Sequence, residues 1–177
     1  DKNTQIKFNE KIAGKFKSGL SLHYLNHYLE NDILENSIKQ FVKTNTSKNT
    51  DTEYFKKILE TNSNQKLDWF FNELIYSRNK IDYKITDAKK VNDSIEVTIK
   101  NIGDAKVPVS IYGYNQNKLV SKNWVENNSE TFTFSVKNDS ITKFVLNANY
   151  EIPEINNNNN SYKLKNRFLG NRKIRFT

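Results

Sequence analysis

The sequence predicts an α+β chain in two parts. An N-terminal α-helical subdomain over residues 1–79 is followed by a small antiparallel β-sandwich over 80–152, and an Asn-rich connector and basic tail occupy 153–177. Three observations predict this. Apolar side chains recur three and four apart between Lys15 and Ser77, the spacing changes to two after Ser77, and turn-forming residues punctuate both halves.

Taken in order, Leu22, Leu25, Tyr28 and Leu29 form the first helical stripe. Asp32 suits the N-cap of a second helix whose buried face is Leu34, Ile38, Phe41 and Val42. Residues Thr44 to Thr50 read as a loop. Thr50 with Glu53 three residues on has the form of a capping box, and Tyr54, Phe55, Ile58 and Leu59 make the stripe that follows. Ser63 or Asn64 caps a last helix carrying Leu67, Trp69, Phe70, Phe71, Leu74 and Ile75, an aromatic load wide enough to be covered on more than one side.

Beyond a boundary near Arg78 to Asp82, Ile95, Val97 and Ile99 alternate with polar residues, as a strand with one wet face does. Asn101 to Asp104 is a turn. Val107, Val109, Ile111 and Tyr112, then Leu119 and Val120, then Phe132, Phe134 and Val136, and finally Ile141, Phe144, Val145 and Leu146 supply the remaining strands. The Asn156–Asn160 run reads as a solvated connector. In the tail, Lys173 to Thr177 again alternates like a strand, so the parent protein is expected to continue.

Composition narrows the chemistry. The chain has 177 residues, no cysteine, and Lys+Arg 28 against Asp+Glu 20 for a net charge of +8. Disulfide scaffolds, thiolate zinc sites and cysteine nucleophiles are excluded. No apolar run approaches the roughly 20 residues of a membrane-spanning helix. Phe 11, Tyr 9 and Trp 2 are too many aromatics for a chain that cannot collapse. About one residue in six is Asn, which codon bias explains as readily as function does. With no Met and with Asp1 leading, the chain is expected to be a piece excised from a longer protein.

His23 and His27, four apart, share one helical face where they could hold a metal, with Glu30 or Glu35 the nearest acids. Zinc peptidases that use this spacing need a Glu general base directly after the first His, and here that residue is Tyr24. No metal ligand, cofactor-binding residue or catalytic residue is therefore assigned. The scattered lysines argue against nucleic acid as a partner, because only the tail concentrates basic charge. An alternative class is a protein- or glycan-binding adhesion module using exposed Trp124, Tyr112 and Tyr114.

The helical half resembles the stretch following the active site in the aminopeptidase N family of zinc metallopeptidases, the gluzincins. The resemblance rests on Lys17-Ser18-Gly19-Leu20-Ser21-Leu22-His23-Tyr24-Leu25, on Asp51 through Glu60, and on Leu67-Asp68-Trp69-Phe70-Phe71. Ile81-Asp82-Tyr83 leading into an immunoglobulin-like sandwich is similar to the domain order of some members. The resemblance implies a fragment that supports the active-site lobe and links it to further domains. Its partners would be the upstream catalytic domain of the same chain and, through the parent, a peptide substrate. The zinc expected in the parent would be held by an HExxH helix upstream of Asp1. The family's oxyanion-stabilising Tyr would fall at Lys15 or Phe16, and neither can donate a phenolic hydrogen bond. The Asn-rich connector and basic tail also resemble metallopeptidase-like proteins of Bacteroidetes, some continuing into an outer-membrane barrel. That implies a periplasmic, cell-envelope or extracellular location and a membrane-associated downstream domain.

Overall fold

The computed structural model describes residues 17–44, 51–126, 129–137 and 140–164. It contains three α-helices, α1 (17–29), α2 (Ile33–Thr44) and α3 (Thr52–Ser63), then a π-helical turn (Phe70–Ile75), then seven strands. These are β1 (Tyr83–Val91), β2 (Ser94–Asn101), β3 (Val109–Asn115), β4 (Lys118–Val125), β5 (Thr131–Val136), β6 (Lys143–Leu146) and β7 (Ser161–Lys163). One sheet has the order β1-β2-β5 and the other β4-β3-β6-β7, with antiparallel pairing throughout. The chain changes sheet between β2 and β3, between β4 and β5, and again between β5 and β6, which is the wiring of an immunoglobulin-type sandwich. The α+β class read from the sequence is the class observed.

Several helical details differ from the sequence reading. On α1 the buried face is Ser21, Tyr24, Leu25 and Leu29, while Leu22 is 36% exposed, because the contact surface is centred on Tyr24. On α2, Leu34 and Ser37 are buried but Ile38 and Val42 are exposed. The reason is the crossing with α3, where Asn62 Nδ2 donates to Ser37 Oγ at 3.0 Å and to Gln40 Oε1 at 3.0 Å, turning that side of α2 inward. The three residues between α1 and α2, Glu30, Asn31 and Asp32, all have left-handed φ, and the Asp32 carbonyl accepts from Asn36 N–H at 2.9 Å. Asp51, not Thr50, caps α3, its carboxylate accepting from Tyr54 N–H at 2.7 Å; Thr50 lies outside the described residues. Asn64 ends α3 in the left-handed conformation instead of opening the next helix, whose Leu67 N–H donates to Glu60 Oε1 at 2.9 Å. The expected last helix widens to a π-helix, with Tyr76 N–H reaching Phe71 O at 2.8 Å five residues back. Consecutive bulky rings favour the wider turn: Trp69–Phe70 and Phe70–Phe71 meet edge to face at 5.8 and 5.2 Å.

In the sandwich, β1 and β7 are additional to the strands expected, and β4 is longer than Leu119-Val120. Val107 is buried outside any strand. Tyr112 and Tyr114 lie on the outward face of the four-stranded sheet with Lys122 and Val145, as the register Tyr112↔Lys122 and Tyr112↔Val145 requires. The Asn-rich stretch is not a solvated connector throughout. Asn160 is buried, its carbonyl accepts from Leu146 N–H at 2.9 Å, and β7 follows it onto the edge of β6. The tail from residue 165 onward, including the strand expected at its end, lies outside the described residues.

The join between helices and sandwich is hydrogen-bonded. Lys80 O accepts from Asp104 and Ala105 N–H at 3.0 and 3.1 Å, Asp82 O accepts from Ile102 and Gly103 N–H at 2.7 and 3.0 Å, and Ile81 O accepts from Ile155 N–H at 3.0 Å. Gly103 is required by this approach: a Cβ there would press into the Lys80 carbonyl oxygen and stand 2.8 Å from Asp82 N, nearer than side chains come to backbone. Gly103→Ala is expected to destabilise the protein by about 1–3 kcal/mol, read from urea unfolding. An unchanged midpoint would show that residues 80–82 can move aside without loss.

Candidate functional site

The side chains with the most chemistry gather where α1 meets the outward face of the four-stranded sheet. Residues 105–108 lead into β3 without pairing in either sheet; Ala105 N–H donates to Lys80 O, Asn101 Nδ2 donates to Ala105 O at 2.8 Å, and the remaining buried backbone groups need partners of their own. Tyr83 supplies one set, with its hydroxyl 3.2 Å from Ala105 O and 3.1 Å from Val107 O while accepting from Val107 N–H at 3.2 Å. Tyr24 supplies the other. It is fully buried on α1 and donates its hydroxyl to Pro108 O.

Four aromatic rings, Tyr24 among them, close the seam. Tyr24 lies 5.2 Å from Trp69 and stacks on Trp124 at 5.8 Å, and Tyr28 meets the same two indoles edge-on at 5.1 and 5.4 Å. Tyr28 donates its hydroxyl to Glu126. Next to them Lys122 Nζ sits 5.8 Å from the ring centres of both Tyr112 and Trp124, 3.6 Å from Glu151 and 3.9 Å from Glu30 at the end of α1. Tyr112 donates to Glu151 Oε1, and Asn149 Nδ2 donates to the Tyr112 hydroxyl at 3.1 Å. Burial pushes the phenols of Tyr24, Tyr28 and Tyr112 up, and the carboxylates of Glu126 and Glu151 push the last two further. All three therefore stay protonated and act as donors.

Among the described residues the seam holds no nucleophile hydrogen-bonded to a base. Its three tyrosine hydroxyls are turned to seam carboxylates and to the backbone. Trp69 Nε1, Trp124 Nε1, Ser110 Oγ and Glu151 Oε2 are buried without a hydrogen-bond partner. Beside it, on the β3–β6 face, an open groove of about 310 Å³ is lined by Tyr114, Gln116, Asn117, Lys143, Val145 and Ala148. The histidine rings of His23 and His27 meet edge to face at 4.5 Å on α1. Among the described residues no group of three His, Cys, Asp or Glu side chains is placed to hold a metal. Tyr112 is not the exposed aromatic that an adhesion surface would need, and Trp124 is half-covered by Tyr24 and Tyr28. Sequence reasoning missed Tyr24 because it treated the residue only as the non-glutamate after His23, and missed Glu151 because a lone acid beside Pro153 carries no pattern.

No family model matches the chain, and no curated protein matches it. Among solved structures, aminopeptidase A of Legionella pneumophila, crystallised with aspartic acid, superposes on 78% of this chain with a TM-score of 0.62 at 16% identity. At that identity the likeness is one of fold. The chain spans 17% of that protein's length. No helix among the described residues is long and apolar enough to cross a membrane.

Two substitutions test the seam. Tyr24→Phe leaves the ring contacts and removes the donor to Pro108 O, and is expected to cost about 1–3 kcal/mol in chemical denaturation. Lys122→Ala leaves the Glu151 carboxylate without its cation and is expected to destabilise by a similar amount, discounted because Lys122 reaches solvent. Glu151→Gln in the Lys122→Ala background should recover most of that loss; a double variant as unstable as the sum of the two singles would mean the pair is uncoupled.

Proposed function

We propose that this chain is a non-catalytic C-terminal part of an aminopeptidase N-like zinc metallopeptidase, supporting the active-site lobe and linking it to further domains. One observation carries the reading. The superposition on aminopeptidase A covers more of the chain than either residues 1–79 or 80–177 alone can supply, so the likeness runs across the seam and is not that of a stray sandwich. The ordered motifs of the helical half support the same reading independently of the coordinates.

In this reading α1 to α3 back a catalytic domain that precedes them, and the sandwich braces them through Tyr24, Trp69 and Trp124. Leu20, Leu22, Ile38 and Val42, exposed on α1 and α2, suit coverage by that preceding domain. Zinc and the peptide substrate belong to that domain, and the parent acts outside the cytoplasm, in the periplasm or cell envelope. The parts played here are mechanical: the seam fixes the angle between helices and sandwich, and so the position of whatever the helices hold.

The purified chain is expected to bind no stoichiometric zinc and to release nothing from aminoacyl anilide substrates. Expressed as one product with the coding sequence that precedes Asp1, it should gain both. Zinc-dependent hydrolysis by the chain alone would overturn the proposal, as would a preceding sequence without HExxH.

A further inference from the structure

The two sheets end in β1 and β5 and in β4 and β7, and an edge strand carries a row of backbone N–H and C=O groups that another strand can take. Three of these edges are blunted. β1 has a bulge between Ile85 and Asp87 and carries Lys84, Lys89 and Lys90. β4 carries Lys118 and Lys122, its register with β3 shifts between Gly113 and Tyr114, and the rings of Tyr24 and Tyr28 lie against its Trp124. β7 is three residues long. β5 has none of these devices. Its residues, Thr131-Phe132-Thr133-Phe134-Ser135-Val136, include no charge, proline or glycine, and its register with β2 runs without a bulge.

Which backbone groups of β5 are open follows from the pairing. Asn101 N–H donates to Glu130 O at 2.8 Å, so the even-numbered residues that follow turn their backbone to β2. Thr131, Thr133 and Ser135 turn theirs outward, where they meet no backbone partner among the described residues. The side chains of these three are exposed, while on the other face Phe132 is buried and Phe134 half-buried.

We infer that β5 is an interface between two copies of this chain, which pair edge to edge and antiparallel about a two-fold axis through Thr133. A second copy is the occupant because the strand complements itself. Outward-turned residues must meet outward-turned residues, so odd positions pair with odd. The register centred on Thr133 uses all three: Thr131 stands opposite Ser135 of the second copy, Thr133 opposite its own equivalent and Ser135 opposite Thr131, with about six backbone hydrogen bonds in all. Phe132 then lies against Phe134 of the second copy on the core side, and hydroxyl meets hydroxyl on the outer face, both of them cross-strand pairs that stabilise sheets. The flanking charges do not collide, since Glu130 falls opposite Val136 and Lys137 opposite Ser129 of the second copy. Moving the centre to Phe132 or Phe134 leaves Ser135 or Thr131 with no residue of the strand opposite it. Joined through β5, the two three-stranded sheets become one whose outer edges are both β1, so assembly closes at the dimer. The contact is one strand wide, smaller than a stable interface needs, and a dissociation constant on the order of 10⁻⁵–10⁻⁴ M is expected.

Sedimentation equilibrium of the whole chain from about 10 µM to about 1 mM is expected to show monomer passing to dimer, with no larger species. Hydrogen exchange at the amides of Thr131, Thr133 and Ser135 should slow as concentration rises. Thr133→Lys and Thr133→Glu each set a charge against its own copy on the axis, and each alone is expected to weaken the dimer by about tenfold or more while the circular dichroism of the monomer is kept. Mixed in equal amounts the two variants should dimerise again, Lys against Glu, as only an axis through residue 133 allows. A chain that stays monomeric at the highest concentration, a dimer indifferent to both substitutions, or a mixture no more associated than its components would overturn the inference. Should either variant fail to fold, the exchange measurement on the wild type decides the matter, and rates at those three amides independent of concentration would refute it.

Discussion

The fold depends on how the chain satisfies the backbone of residues 105–108. This segment passes from one sheet to the other and pairs with no strand, so buried carbonyls there must find donors or cost about 1–3 kcal/mol each. Asn101 Nδ2 donates to Ala105 O, and two tyrosines from different parts of the molecule serve Val107 and Pro108, Tyr83 from β1 and Tyr24 from α1. Tyr24 can reach Pro108 only when α1 lies on the sheet. That contact in turn seats Trp69 and Trp124 against it. A local demand of the sandwich backbone thus fixes where the helices go.

The consequence is a single hydrophobic core shared by helices and sandwich. Leu25, Leu59, Phe70 and Phe71 from the helices belong to the same buried cluster as Ile99, Ile111 and Phe144 from the sandwich. The hydrogen bonds of Lys80, Ile81 and Asp82 to residues 102–105 and 155 close the same joint from the other side. Lys122, placed between two rings and two carboxylates, ties the C-terminal end of α1 to the loop after β6. An arrangement of this kind transmits position between the helices and the sandwich.

Much of this was legible in the sequence, and the omissions have physical reasons. Period-two alternation identified β2 and β5 because each has one face on the core. It missed β1, where a bulge between Ile85 and Asp87 breaks the alternation and paired lysines mask the rest. It missed β7, whose three residues are too few to carry a period. The phase of α1 was read from Leu22, Leu25, Tyr28 and Leu29, which put Leu22 inside and overlooked Tyr24, buried for its hydroxyl as much as for its ring. The Asn156–Asn160 run reads as low complexity, yet Asn159 and Asn160 reach two carboxylates brought there by tertiary folding. Asparagine content alone cannot separate a linker from a lining.

The central claim is that helices and sandwich form one cooperative unit through the Tyr24 seam. Native-state hydrogen exchange tests it most directly by comparing the amide of Leu25 on α1 with that of Ile99 on β2 across a denaturant series. The account predicts that both exchange through the same global opening, with equal free energies and equal denaturant slopes. Exchange of Leu25 through a cheaper, separate opening, with Ile99 still protected, would contradict it.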